Sequence, residues 1–468
     1  VISGDGNVID NVNQLGGVET LELAGTTVSI DGVVLGTLDN AVGGLDVIKG
    51  NSSSSEVTIT AAAGASTVDL TKLTLTSLKS IEVDAANAGG TVQLNLTAAQ
   101  IAQVGSFKSS ADTALKVKTT VAGLSAISGK ATGATLIVDD TIAALLASSS
   151  SLAGVTVTLS ATSVSDATKA IGLGAGSVSY VLSDTAANLA LAPLAVFNNA
   201  SSVVVSDTAT AIQAVSIDAS IDASTKTGSE AFITLNVSDT ADMLANHDSG
   251  YKYADSVTAT DDATAKQAKA IIASLTTNTN ATYSIKDTVS EIDTESQNGP
   301  GLAGLNQAAK VTASDSTIAV GTAKAINGRL TGSLETGYGV TGSFSDLTNS
   351  ANAATINTAS SITVNNAIGV ADALTTLALT VNGSTDSSTK TFKLSDNKAN
   401  LLASSTTVRN RASEVDVNDL AATTVANVKS LVDTFTAAKI KDTNLAITDT
   451  ASNLTGLTAS QASAVTAV

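Results

Sequence analysis

The sequence predicts an α/β repeat solenoid, with one strand and one short helix per unit, preceded by a mainly β segment. The first observation behind this is a recurring phrase. An alternating apolar run meets Ser-Asp-Thr or a close variant, then an alanine-rich stretch. It reads Val181-Leu182-Ser183-Asp184-Thr185-Ala186, and returns around Asp207, Asp239 and Asp449. Looser copies centre on Asp140, Asp166, Asp261, Asp287, Asp315, Asp346, Asn366, Asp396 and Asp419. The thirteen anchors from Asp140 to Asp449 span 309 residues, a mean period of about 26, which is the range in which each unit buries its apolar face against its neighbours. The second observation is the kind of hydrophobe. Hydrophobic residues are 43% of the chain, but aromatics are 2% and Trp is absent. Ala, Val, Leu and Ile suit many small, similar layers better than one bulky core. The third is a change of period, from two before each Asp to a helical one after several of them.

Residues 1–130 come first and read as mainly β. Val18-Glu19-Thr20-Leu21-Glu22-Leu23 matches Leu78-Lys79-Ser80-Ile81-Glu82-Val83, and Val57–Thr60 and Thr91–Leu96 alternate as short strands. Gly43-Gly44 and the run Asn51–Ser55 punctuate them. This segment reads as a β-solenoid or a small sheet. Thr97 with Gln100 has the spacing of a capping box, as does Thr458 with Gln461 near the other end.

Residues 131–468 carry the α/β units. Leu136 and Val138, Val203 and Val205, Leu235 and Val237, Tyr283 and Ile285, Phe392 and Leu394, and Val415 and Val417 stand four and two residues before their anchors. That alternation predicts a half-buried strand ending near the Asp. After Asp261, Ala265, Ala268, Ile272 and Leu275 share a helical face; after Asp419, Val425, Val428, Leu431, Val432 and Phe435 do so. An Asp at such a junction suits the N-cap, where its carboxylate accepts from exposed N–H groups and opposes the helix dipole. Strand, cap, helix and return in about 26 residues match a leucine-rich-repeat-like coil. Spacings of 18 (Asp166 to Asp184) to 32 (Asp207 to Asp239) predict insertions in the returns. Gln297–Gly301 reads as the turn of one unit rather than a domain boundary.

Composition excludes several functions. The net charge is −18 and no basic patch appears, which disfavours a nucleic-acid partner. There is no Cys, hence no disulfide framework and no thiolate metal site. No run of about 18 apolar residues exists to span a bilayer. The chain starts at Val1 without a signal-like segment, so it reads as a mature product or a section of a longer protein. His247, the one histidine, lies in Asn246-His247-Asp248-Ser249-Gly250 and reads as an exposed turn. No nucleophile elbow, P-loop or dinucleotide fingerprint is present, and the eleven scattered aromatics offer no sugar-stacking cleft for a polysaccharide-cleaving enzyme. No enzymatic activity is expected. Thr-rich strands such as Leu73–Thr76 lack the fixed Thr-x-Thr period of an ice-binding face, and Asn-x-Ser/Thr sites, Asn382 among them, occur at the frequency chance supplies.

If neighbouring strands lie about 4.8 Å apart, a row of anchor carboxylates repels by about 3 kcal/mol per pair at an effective dielectric near 20. Hydrogen bonds or cations must offset this. Capping is the first reading. Calcium bridging is the second, with Asp184, Asp207, Asp239, Asp261, Asp287, Asp315 and Asp449 as candidate ligands, since Asp, Ser and Thr turns supply oxygens. No cofactor is certain, and the fragment Gly4-Asp5-Gly6-Asn7 is too short to count as a calcium-binding array.

The phrases Leu182-Ser183-Asp184-Thr185-Ala186-Ala187-Asn188-Leu189 and Ile447-Thr448-Asp449-Thr450-Ala451-Ser452-Asn453-Leu454 resemble repeats in very large secreted surface proteins of bacteria. The Val18–Leu23 and Leu78–Val83 lines look like segments flanking calcium-binding repeats in type I secreted adhesins and surface-layer proteins. The resemblance implies a secreted or cell-surface, structural or adhesive protein. The first expectation is a protomer that assembles with copies of itself into a surface layer or filament. The uncharged stretch Leu457–Val468 favours end-to-end contact. The alternative is an adhesin or phage-fibre section that binds a glycan or partner cell through loop insertions near Ser224–Glu230 and Asn382–Lys390.

Overall fold

The structure is a computed structural model that describes residues 7–9, 20–23, 25, 27–32, 45–51, 53–61, 65–85, 90–224, 232–247, 251, 253–275, 281–335, 337–419, 423–441 and 446–464. The expectations for residues 4–6, Val18 and Glu19, Gly43-Gly44, 225–230 of the first loop insertion, 248–250 of the turn after His247 and 465–468 lie outside the described residues. Two compact units are present, one of residues 1–209 and 216–235, the other of 210–215 and 236–468.

Strands form where alternation puts branched aliphatics inward. Thr27–Asp31, Glu56–Ala61 and Thr91–Asn95 alternate strictly between buried and half-buried positions. The first unit holds a five-stranded parallel sheet in the order Asn7–Ile9, Thr27–Asp31, Glu56–Ala61, Leu78–Ala85, Val104–Ser109. Its register stacks Val28 on Val57 and Ile81, and Ile30 on Ile59 and Val83, as buried aliphatic rungs. Burying one such side chain contributes about 1.5–3 kcal/mol. A three-stranded parallel sheet, Thr20–Glu22, Val47–Lys49 and Thr74–Thr76, packs into the same core.

The largest sheet has eleven strands. In the first unit its order is Ala65–Asp69, Thr91–Asn95, Ala114–Thr119, Thr135–Asp139, Thr156–Thr162, Ser177–Asp184, Ala200–Ala209. The second unit carries most of Ile233–Asp239, then Ser256–Ala263, Ala281–Asp287 and Val311–Ala313. It also holds a separate five-stranded sheet: Thr317–Ala319, Gly339–Gly342, Ser361–Ile368, Lys390–Asp396, Ala412–Val417. Parallel neighbours need a crossover, and helices supply many of them.

This topology corrects the expected fold class. A leucine-rich-repeat-like α/β repeat solenoid, with one strand and one short helix about every 26 residues behind a mainly β segment, is not what forms. Four sheets share the strands, and twenty α-helices occur among the described residues. The physical reason lies in the returns. The Asp phrase sets where a strand stops and a helix starts, but it leaves the path of the return open. Ala186–Ala190 is followed by a second helix, Leu194–Asn199, and Val289–Ser296 by Gly299–Gln307. Thr135–Asp139 and Ile142–Ala147, in contrast, form a unit with one helix. In the N-terminal stretch, Ala98–Ala102 and Val121–Ile127 are helical.

The outward sheet faces are Ser/Thr-rich and cross-linked between neighbouring strands. Ser177 Oγ lies 3.0 Å from Thr156 Oγ1, and Ser256 Oγ donates to Asn236 Oδ1 at 2.6 Å. The scarce charges pair across strands too, as in Lys49–Glu22, Lys79–Glu56, Lys118–Asp139 and Lys393–Glu414. Glu56 is held below its ordinary value by its hydrogen bond to Lys79, against the opposing effect of burial.

Candidate functional site

Most anchor aspartates are not the N-cap of their own helix; Asp166 and Asp346 stand in the first turn behind the N-caps Ser163 and Ser343, and Asp346 closes a capping box with Ser343. In most units the N-cap is a Thr or Asn after the anchor. Thr141, Thr185, Thr240, Thr264, Thr288, Thr424 and Thr450 each accept the N–H three residues on. Thr97 with Gln100 and Thr458 with Gln461 form the capping boxes their spacing predicts, and Thr264 with Gln267 adds another. This frees the Asp for a different bond. It reaches sideways to the first helical N–H of the preceding unit.

Asp140 accepts from Val121 N–H at 3.0 Å, Asp184 from Val164 at 2.9 Å, and Asp207 from Ala186 at 2.7 Å. In the second unit Asp239 accepts from Ala211, Asp261 from Ala241, Asp287 from Ala265 and Asp315 from Val289. The series continues with Asn366 and Phe344, Asp396 and Val370, Asp419 and Lys398, and Asp449 and Val425. Where the Asp directly precedes the cap, its other oxygen takes the cap residue's own N–H, as at Thr141, Thr185, Thr240, Thr288, Asn397 and Thr450. Each of these carboxylates ties two helix starts together.

The Asn of the Ser-Asp-Thr-x-x-Asn-Leu phrase completes the arrangement. Asn188 donates its amide to Asp184 Oδ1, Asn400 to Asp396 and Asn453 to Asp449, each at 2.8 Å. For Asp184 burial is the largest influence and pushes its carboxyl up, but the bonds from Asn188, Val164 and Thr185 together hold it below 3.8. Asp396 sits low by the same balance, through Val370, Asn400 and Asn397. Asp449 is lowered by Asn453 first, then by the Thr450 and Val425 N–H groups. The calcium candidates are therefore a series of separate braces, each carboxylate accepting protein N–H groups. Among the described residues no three His, Cys, Asp or Glu side chains come together as a metal-binding group.

Helix ends are tied down in a matching way. Lys130 Nζ donates to Ile101 O at 2.9 Å, and Lys439 Nζ to Arg409 O at 2.9 Å, each reaching the C-terminus of a preceding helix. Such placement also complements the negative end of the helix dipole. Tyr180 and Tyr283 are buried, and their hydroxyls donate to Val196 O and Gly304 O, both at 2.7 Å; burial pushes both phenols up. His247 stands at the C-cap of Ala241–Asn246, its Nδ1 2.9 Å from Met243 O.

Within the Asn382–Lys390 insertion, Asn382 and Gly383 form a tight turn at positive φ, 49° and 72°. Lys390, fully buried, donates from Nζ to Leu377 O at 2.9 Å and Thr385 O at 2.8 Å. Desolvation lowers its pKa from 10.5, against the attraction of Asp386.

One cleft of about 310 Å³ lies at the carboxyl ends of parallel strands in the first unit. Asp69, Thr71, Asn95, Leu96, Thr97, Ala98, Lys118, Thr119, Thr120 and Asp139 line it. Sequence reasoning did not single these residues out as a site, because only Asp139, beside the anchor Asp140, belongs to the recurring phrase. The signal that could have found them is a break in it. Thr119 precedes the N-cap Thr120 where Asp140 and Asp184 precede theirs. The Thr119 hydroxyl is buried and has no hydrogen-bond partner.

No helix among the described residues is long and apolar enough to cross a membrane. Comparisons with protein-family models, curated proteins and solved structures find no match to this chain.

Proposed function

We propose that this chain is an extracellular structural protein that assembles with copies of itself into a surface layer or filament. The observation that carries the reading is the use of the carboxylates. From Asp140 to Asp449 ten of the recurring acids accept the first N–H of a preceding helix, and six of these also take the N–H of their own cap residue. That is the investment of a scaffold. Support also comes from Leu191 and Leu194, 86% and 42% exposed on either side of Pro193, an apolar projection suited to contact with a neighbouring copy. Light scattering and negative-stain electron microscopy, with and without millimolar calcium, test the proposal. Ordered arrays or filaments are expected. A chain that stays monomeric in both conditions overturns it.

A second reading is an adhesin that recognises a glycan or partner cell through its loops. What favours it is the Asn382–Lys390 insertion, whose exposed turn is held in one shape by the buried Lys390. Deleting residues 382–389 would then abolish glycan-array binding and leave assembly intact. Binding that survives the deletion refutes this reading.

A further inference from the structure

We propose that the cleft between Asp69 and Asp139 binds one ring of a neutral, polyhydroxylated ligand, a pyranose sugar. The proposal does not rest on the self-assembly reading. It starts from what sets this cleft apart. In most units further along the chain, a carboxylate crosses to the previous helix start and accepts its first N–H, and where Asp184 does so the brace stands in the wall of a cleft of about 400 Å³. At Thr119 a threonine holds that position, and a hydroxyl is too short to make the crossing. The cleft here lies at the carboxyl ends of Ala65–Asp69, Thr91–Asn95 and Ala114–Thr119, and the buried Thr119 hydroxyl in its wall has no hydrogen-bond partner. Ligands of open α/β sheets bind at this end of the strands.

The chemistry of the walls selects the ligand. Asp69, Asn95 and Lys118 stand side by side, because the register pairs Asp69 with Asn95 and Asn95 with Lys118. Asp69 uses Oδ1 for the Thr71 N–H and hydroxyl, at 2.9 and 2.7 Å. Asn95 Oδ1 accepts from Gln93 at 2.9 Å. Lys118 is paired with Asp139 at 2.5 Å. Thr120 is an N-cap whose side chain makes no capping bond. Two carboxylates against one ammonium repel an anion, and with Asp139 held by Lys118 and Asp69 Oδ1 by Thr71 too few charged oxygens are left to collect a metal cation. Closely spaced acceptors and donors suit vicinal hydroxyls, each of which both donates and accepts. A volume of about 310 Å³ is at the lower end of the range for ligand sites, roughly 300–1,000 Å³, and matches a single ring. With no aromatic side chain among the lining residues, affinity should be weak, with Kd on the order of 1 mM.

Saturation-transfer-difference NMR on the full chain tests this, using a panel of methyl pyranosides and the corresponding free sugars, with inorganic phosphate and calcium chloride as competitors. Saturable transfer to at least one pyranoside is expected, undisturbed by phosphate or calcium. Asp69→Asn keeps an acceptor for Thr71 and so keeps the turn, but should weaken binding about tenfold, as should Lys118→Gln. Both variants are checked for a wild-type thermal transition. If Lys118→Gln alone fails that check, Asp69→Asn decides. Preference for the methyl glycoside or for the free sugar supports the proposal equally, and distinguishes a glycan end from a free monosaccharide. No transfer to any pyranoside, displacement by phosphate or calcium, or unchanged binding in a folded Asp69→Asn overturns it.

Discussion

Asp184→Ala is the sharpest probe of the brace. The carboxylate accepts from Val164 N–H at 2.9 Å, from Thr185 N–H at 2.8 Å and from the Asn188 amide at 2.8 Å. A hydrogen bond to a charged group contributes about 1.5–3 kcal/mol, less at a partly exposed site, and the three are not additive. The expected loss is about 2 kcal/mol, felt locally rather than as one global transition in so long a chain. Hydrogen exchange read by mass spectrometry is therefore the assay. About 2 kcal/mol corresponds to roughly thirtyfold faster exchange of the amides concerned. The decisive amide is Val164, twenty residues before the mutated position. If Asp184 served only its own helix, Thr185 and Asn188 would speed up and Val164 would not. Unchanged exchange at Val164 would refute the brace. Asp184→Asn, which keeps one acceptor oxygen and loses the charge, should fall between the two.

The lowered carboxyls of Asp184, Asp396 and Asp449 give a pH dependence of fixed sign. Their stabilisation is fully present above the unfolded value near 3.8 and is lost as pH falls through the lower folded values; circular dichroism that is flat from neutral pH to pH ~2 would contradict this. Lys390→Met leaves the carbonyls of Leu377 and Thr385 without their donor, an expected cost of about 1–3 kcal/mol; limited proteolysis should then cut within Asn382–Thr389, and resistance equal to wild type would argue against the role. Gly105→Ala places a Cβ 2.6 Å from Lys79 O on the neighbouring strand. A fall in stability of about 1–3 kcal/mol is expected, and an unchanged melting temperature would show that the strands give way easily.

The strands were legible because their signal is local. Leu235 and Val237, or Phe392 and Leu394, alternate with polar neighbours, and each is buried. The helix starts were legible to within a residue or two, but the roles at the joint were not. Asp and Thr both suit an N-cap, and composition alone does not say which of two adjacent residues takes it. The structure gives the cap to Thr, because the Asp has an unsatisfied helix start beside it in the previous unit. That partner lies about twenty residues away and is invisible without the register. The Asn of Asp184-Thr185-Ala186-Ala187-Asn188 was in plain view as part of the phrase, though its bond back to the Asp was not. Sheet division was hidden for a different reason. It depends on returns such as Gly299–Gln307, whose lengths obey no period. The cleft was hidden because it is marked by a missing carboxylate at Thr119, and a departure is recognisable only once the rule is known.

The braces also bear on how the chain reaches its fold. Donor and acceptor are 19 residues apart for Val121 and Asp140, and 28 apart for Ala211 and Asp239. Separations near 23 are short in a chain of 468 residues, so the braces are comparatively local contacts. Loop closure over so few residues is cheap in entropy. Each brace can close as soon as the next strand has been laid down, before the rest of the chain takes part. Formation of each brace should therefore depend on the few tens of residues between donor and acceptor more than on the rest of the chain.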